Sequence, residues 1–511
     1  MTDKKYAIQA AAECACEDNV IGKSKPVWNN YAFQFMYAPF FRFPHLPVYR
    51  AYRCIAADES GRTYTFDTEK PSFSLSPIWA DLPEGVVRLS VNGIKKDGTS
   101  GETVGARTFF KLASFPSDLP PASRPYEEAA AMAFEYALRQ PFLRHWLTDG
   151  TPDPEYDLNV YPSKMISSVI DAMIYYSSVC PEKKDEAAKI AVNAADYLIS
   201  ITRRDGVMKN VPPTYQTDFR CESEKNNDYT ASERINQVMM LYPAHVGYSY
   251  INLYKFTGNA KYLEEAKKIG AHYKENVLPN GSWYLIKDIN TGEVLSPNFC
   301  EPLERIVPFL MALYEVTGNE TWKTLSDGAI KFIENNELKT FEWEGQFEDS
   351  VCSVNYSNLT HYGASAYVRY LARYYADDEE KMKNADELMR FIEDQFIVWK
   401  RPAPWNKDSS DTTAFRTPCV YEQYNWYVPI DASAADIIST FLAMYKAGRG
   451  ELHLEKAKAI ADSLTRVQYD DGLIPTHWMT EDMLELPFWI NCMFSSAINL
   501  ARLAEELKRG G

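Results

Sequence analysis

The chain has 511 residues, 46% of them hydrophobic and 24% charged, enough for two or three domains and balanced as folded globular proteins are. Its formal net charge of −16, with no basic cluster against it, opposes a phosphate backbone and argues against nucleic acid as a partner. No apolar run approaches the ~20 residues that span a bilayer, so no membrane span is expected.

Residues 1–18 lack the basic and apolar segments of a secretion signal. The nine cysteines are scattered without a CxxC or a regular framework. Both features lead us to expect reduced thiols and a cytoplasmic setting.

Residues 1 to about 115 read as short strands: the partly alternating run from Tyr31, Thr63-Tyr-Thr-Phe, and Val86-Val-Arg-Leu-Ser-Val, with turn signals between them. The segment Leu82-Pro-Glu-Gly-Val-Val-Arg-Leu-Ser-Val-Asn-Gly resembles the late strands of fibronectin type III-like modules. That resemblance implies a β-sandwich over residues 1–115. Residues 116–125 form a proline-rich linker, because proline removes donors and disfavours helix at the residue before it.

From residue 126 to 511 the periodicity is helical, and it repeats. Tyr254-Lys-Phe-Thr-Gly-Asn and Tyr314-Glu-Val-Thr-Gly-Asn each stop an apolar helix with a glycine and turn into an amphipathic one; a diverged copy begins at Tyr445. Apolar helices are predicted near 163–179, 233–256, 301–316, 359–375, 431–446 and 489–507. Helices with a charged face alternate with them, near 128–145, 184–203, 260–276, 320–336, 379–397 and 451–468. A helix apolar all round belongs inside and a one-sided helix outside, so six pairs close into an (α/α)6 barrel. The predicted fold class is thus multidomain α and β: an N-terminal β-sandwich, then an (α/α)6 barrel. Connections from outer to inner helix are long, and all of them emerge at the rim where the inner helices begin.

Three of these long loops open alike, with Arg204-Asp-Gly-Val, Leu278-Pro-Asn-Gly-Ser-Trp and Tyr469-Asp-Asp-Gly-Leu-Ile. Here the chain resembles the six-hairpin glycosidase superfamily over residues ~126–507, in which such a turn recurs after the outer helices. The superfamily includes unsaturated glucuronyl hydrolases, glucoamylase-like enzymes, sugar epimerases and the toroid domains of some polysaccharide lyases. The resemblance implies an oligosaccharide ligand and a cleft on the long-loop rim; its turn motif selects no one activity.

Seven of the eleven tryptophans lie in or beside the long loops, among them Trp283, Trp426, Trp478 and Trp489. Sugar stacking explains that bias, and so does packing of the loops onto the barrel. Glycosidic cleavage needs an acid and a base or nucleophile on opposite sides of the scissile bond. The expected catalytic carboxylates are Glu422, Asp349 and Glu301, with helix capping as the alternative for Glu301 and Asp431. His361, with a nearby tyrosine such as Tyr356 or Tyr362, is the candidate base for β-elimination, and Arg234 the candidate fork for a uronate. Tyr229, Asn298, Tyr356, Tyr424 and His477 complete the expected sugar-binding set. No HExxH, calcium-loop or dinucleotide pattern occurs, so neither metal nor cofactor is expected. Hydrolase is the leading expectation; lyase, epimerase and non-catalytic glycan binder remain open.

Overall fold

Gly258 and Gly318 sit at the ends of two helices at φ 72° and 64°, the left-handed conformation that only glycine adopts without cost. Asn259 and Asn319 follow, and each side chain caps the next helix by accepting a backbone N–H, from Lys261 and Thr321. These turns fold apolar and amphipathic helices into hairpins. In the computed structural model the chain is described over residues 4–20, 31–43, 45–216, 234–346, 354–405, 412, 415–424, 426–478 and 488–510.

The helical region begins with α3 (Tyr126–Arg139) and α4 (Pro141–Thr148), preceded in the chain by α1 (Lys4–Cys16) and α2 (Ser76–Trp79). There follow α5 (Pro162–Val179), α6 (Lys184–Ile201), α7 (Tyr242–Thr257), α8 (Ala260–Asn276), α9 (Ile306–Thr317), α10 (Glu320–Asn335) and the short α11 (Glu337–Thr340). The last five are α12 (Tyr362–Tyr374), α13 (Glu379–Phe396), α14 (Asp431–Lys446), α15 (Glu451–Val467) and α16 (Ile490–Gly510). Among the described residues α5, α7, α9, α12, α14 and α16 form the inner ring, with buried apolar residues around most of each helix. Each packs on an outer helix: α5 on α6, α7 on α8, α9 on α10, α12 on α13, α14 on α15, and α16 back on α3. The last inner helix thus closes on the first outer one, with Phe134 and Phe494 stacked 6.4 Å apart. This is the toroid that the alternating helices predict.

Three boundaries differ from the sequence reading. The predicted helix 128–145 is split at Gln140, because Pro141 starts a new helix and forces Gln140 to extended backbone (φ −70°, ψ 133°). The predicted inner helix at 233 starts only at Tyr242, since residues 237–239 form a strand instead. The one predicted at 301 starts at Ile306. The turn glycines that open the loops also act in packing. Gly281, at φ 90°, lies so close to α10 that a Cβ would stand 2.3 Å from the Gly328 carbonyl oxygen.

In the N-terminal region residues 4–16 are helical, not strand, whereas the rest is built on strands. These are β1 (Gln34–Phe35), β2 (Phe40–Arg42), β3 (Ala51–Ala57), β4 (Thr63–Thr68), β5 (Ser72–Ser74), β6 (Gly85–Ile94) and β7 (Ser100–Lys111). One five-stranded sheet runs β1-β7-β6-β3-β4, antiparallel except for β1 beside β7. A β2–β5 ribbon lies on it through Phe41, 5.7 Å from Phe109. The sheet is joined to α13 by Asp394, whose carboxylate accepts the backbone N–H groups of Met36 (2.6 Å) and Tyr37 (2.7 Å). The proline-rich segment lies along α15, where the Ser123 N–H donates to Thr465 Oγ1 at 2.9 Å.

Five short strands stand in the long loops: β8 (Gln237–Met239) with β9 (Ile286–Asp288), and β10 (Ile397–Val398), β11 (Cys419–Gln423) and β12 (Trp426–Pro429) in one three-stranded sheet. No described helix is long and apolar enough to cross a membrane.

Candidate functional site

The long loops are knitted together at the N-terminal ends of the inner helices. The β11–β12 hairpin leads into α14, and Thr360, just before α12, donates its hydroxyl to the Glu422 carbonyl at 2.8 Å. The loop before α16 joins in: the Asp431 N–H donates to the Thr476 carbonyl (3.0 Å) and the Trp478 N–H to the Pro429 carbonyl (3.1 Å). Three connections distant in the chain therefore share one mouth.

On one side of it stand Glu422, Tyr362 and Asp431. Tyr362 opens α12, and its hydroxyl lies 3.0 Å from Ser433 Oγ on α14. Burial, then the Glu422 charge, raises its phenol well above the usual range. Asp431 opens α14 wholly buried; its Oδ2 accepts the Ser496 hydroxyl at 3.0 Å, while Oδ1 has no hydrogen-bond partner among the described residues. Burial pushes its carboxyl well up, Ser496 and backbone N–H groups draw it back, and Glu422 adds to the rise. Asp431 is thus held protonated within the field of the half-buried Glu422.

Glu301 flanks the same helix end from the other side. A Cβ on Gly363 of α12 would stand 3.2 Å from the Glu301 carboxyl carbon. Its carboxylate accepts the N–H groups of Leu303 (2.9 Å) and Glu304 (3.3 Å), and the Gln346 side-chain oxygen accepts its own N–H at 2.8 Å. Burial, with 7% of the residue exposed, pushes Glu301 up to about 8. Glu337 is pushed up to about 8 as well, by burial and then by Glu301, Glu342 and Glu344. Asn298 belongs to this acidic group, with its amide 3.5 Å from Glu344.

Basic groups stand at the starts of α5 and α9. Lys164 of α5 lies 4.3 Å over the ring of Trp489, which also stacks on Tyr161. Arg305, at the start of α9, covers the Tyr242 ring at 4.7 Å and pairs with Glu304 at 3.0 Å. Its guanidinium lies 2.9 Å from His245 Nδ1. A guanidinium only donates, so Nδ1 is the acceptor and the His245 proton sits on Nε2, which faces Asp171 at 3.9 Å. Burial, then the Arg305 and Lys164 charges, lowers His245 to about 3 and keeps it neutral. Asp171 accepts from Ser249 and Asn252, and burial raises it to about 6.

The remaining residues singled out in the sequence fall elsewhere. His361 is fully buried behind Tyr362: its Nδ1 lies 3.4 Å from Asp436, its ring packs on Phe396, and Nε2 has no partner among the described residues. Trp283 and Trp478 are 1% exposed, and Trp283 donates to the Tyr273 carbonyl at 2.8 Å; both rings fill the wall and leave no face for a sugar. Tyr424 is buried too, stacked on Tyr427, with its hydroxyl on Gln395. Tyr356 ties down its own loop through Glu342 and the Thr340 carbonyl. Arg234 is half-buried just before β8. His477 pairs with Ile430 by a backbone bridge, and burial lowers its ring to about 4. Trp426 lies on β12, and Asp349 and Tyr229 lie outside the described residues. Among the described residues no cluster of His, Cys, Asp or Glu could hold a metal ion.

Sequence reasoning missed Lys164, Asp171, His245 and Arg305. A carboxylate and a histidine in otherwise apolar inner helices were the available signal, since neither is placed there without a partner.

No family model matches the chain, and no curated protein matches it. Solved structures do. A family 76 glycoside hydrolase from a bovine Bacteroides thetaiotaomicron strain is 10% identical, with 89% of this chain and 93% of that one covered at a TM-score of 0.51. Cellobiose 2-epimerase from Spirochaeta thermophila is 11% identical over 76% of this chain and 100% of that one, at 0.51. A D-mannose isomerase is 11% identical over 75% and 97%, at 0.52. The likeness is one of fold, the (α/α)6 toroid.

Proposed function

We propose that the chain is a carbohydrate-active enzyme, a glycoside hydrolase that cleaves uronate-bearing oligosaccharides at this mouth. The supporting observation is the pairing of half-buried Glu422 with Asp431, whose proton is retained by burial and by the Glu422 charge itself. Glu422 serves as base or nucleophile, and Glu301, a raised acid that keeps some exposure where Asp431 has none, donates to the leaving oxygen. Lys164 and Arg305, at the starts of α5 and α9, suit a uronate carboxylate. The structural neighbours, a glycoside hydrolase, an epimerase and an isomerase of sugars, agree with a sugar substrate.

Elimination by a tyrosine and histidine is the weaker reading. Burial and Glu422 hold the Tyr362 phenol protonated, and His361 has no exposed edge. In the same reading residues 1–115 are a fibronectin type III-like β-sandwich, 116–125 a linker and 126–511 the catalytic toroid. The described cysteines are all free, in keeping with a reducing cytoplasmic setting.

The test is incubation with a panel of neutral and uronate-containing oligosaccharides. New reducing ends without ultraviolet absorbance are expected. Absorbance from an unsaturated uronate would mean a lyase, and a changed epimer ratio at constant chain length an epimerase. Glu422→Gln is expected to lower turnover by about 10²-fold or more with melting unchanged; near-normal rates would remove Glu422 from the chemistry.

A further inference from the structure

At the end of the toroid opposite the long loops, where the inner helices finish, the axis is hollow. The cavity has a volume of about 720 Å³, all six inner helices line it, and it reaches deepest along α9, to Leu303 and Glu304. Small residues keep it open: Ala312, Ala366, Ser439 and Ala443 face it from three helices, where larger side chains would close the core.

Its wall is charged, with six Lys and Arg side chains against four Glu, in a chain whose net charge is −16. Some of these charges are already matched. Arg373 pairs with Glu315 at 2.6 Å, Lys446 with Glu506 at 2.8 Å, and Arg369 with Asp436 at 2.7 Å. Lys255 and Arg509 have no ion-pair partner among the described residues, whereas Arg502 lies 5.5 Å over the ring of Tyr175 and its charge also acts on Asp171. The carbonyl ends of the inner helices favour cations at this end. That accounts for basic residues on the last turns, but not for three of them around one hollow, two of which, Lys255 and Arg509, have no carboxylate to meet among the described residues. Four tyrosines, Tyr175, Tyr248, Tyr370 and Tyr374, add flat faces and hydroxyls to the same wall. Flat rings, hydrogen-bonding hydroxyls and unmatched cations together suit a hydroxylated ring bearing a negative group, and the volume is that of an ordinary small-molecule pocket.

We propose that this hollow is a second ligand site, separate from the mouth, for a small anionic sugar carrying a phosphate or a carboxylate. Lys255, Arg502 and Arg509 hold its charge, and the tyrosines hold its ring. The site does not depend on the hydrolase reading, because none of these residues takes part in the chemistry assigned to the mouth.

The test is calorimetric titration of the full chain with glucose 6-phosphate, glucuronate, glucose and inorganic phosphate. One of the two anionic sugars is expected to bind at least tenfold more tightly than glucose or phosphate. The double variant Lys255→Ala/Arg502→Ala is expected to weaken that binding tenfold or more with an unchanged circular dichroism spectrum. Lys255→Ala alone, at an exposed and unpaired position, weakens it in the same direction should the double variant misfold. Glucose binding equally well, no probe binding, or wild-type affinity in the variants would each overturn the proposal; the last would place the ligand at the mouth.

Discussion

Asp394 offers the sharpest test of how the N-terminal sheet is held on the barrel. One of its carboxylate oxygens takes the backbone N–H groups of Met36 and Tyr37, and the other takes the side-chain amides of Gln395 and Asn19. The residue is 1% exposed, and burial pushes its carboxyl up to about 7 against the pull of these donors. Asp394→Ala strands two buried backbone donors, each costing about 1–3 kcal/mol when left without an acceptor, so the expected loss is about 2–6 kcal/mol. That loss falls on the attachment of the sheet rather than on the hairpins. Hydrogen exchange followed by mass spectrometry reads it locally. Even the lower bound corresponds to about 30-fold faster exchange at Met36 and Tyr37 and in β1, with α7, α9 and α14 unchanged. Asp394→Asn keeps one acceptor and should lie between wild type and alanine. Unaltered exchange at residues 34–37 in the alanine variant would refute the role of this carboxylate as the clasp.

Glu301 is protonated in the folded state up to about pH 8 but gives up its proton near its ordinary value of 4.5 when unfolded. Folding therefore takes up a proton in this window, and the stability this contributes below pH 4.5 is lost as the pH rises through 8. Melting temperature should fall from pH ~5 to ~9, and Glu301→Gln should flatten that slope. Gly281→Ala must fit a Cβ 2.3 Å from a carbonyl at φ 90°, and about 1–3 kcal/mol of stability should go, read as a lower melting temperature. Arg305→Lys should raise KM for a uronate substrate about tenfold or more while leaving a neutral one nearly unchanged, because lysine keeps the charge but not the fork. Equal effects on both substrates would mean that Arg305 serves only to orient His245.

The hairpins were legible because each carries local punctuation. The Gly258-Asn259 and Gly318-Asn319 turns need no tertiary context, and the helices after them, α8 and α10, lie where the sequence put them, to within a residue. The late start of α9 was not legible. Pro302 looks like a first-turn proline, yet the Glu301 carboxylate caps the N–H groups of Leu303 and Glu304, and the helix begins only after them. Tryptophans in loops were ambiguous in composition; Trp283, Trp343, Trp399 and Trp478 proved to be wall. The His245–Asp171–Arg305 group joins three inner helices, and a helix apolar on every side gives no sign of which face meets the axis. The influence of Glu422 on Asp431 was half legible: both were named, but only the return of β11–β12 into α14 brings the charge of one to bear on the other.

The pairing of α16 with α3 makes the barrel a cask whose final stave is the final one delivered. Lys508 also reaches across to Glu127. Until α16 arrives, α3 and α5 expose the apolar sides it covers, Phe134 and Tyr176 among them. The ring thus has no closed form missing one hairpin, and deletion of α16 should produce an aggregating species rather than a smaller barrel. Synthesis and closure of the toroid are coupled in the same way, for its earlier helices keep an open seam until α16 is made.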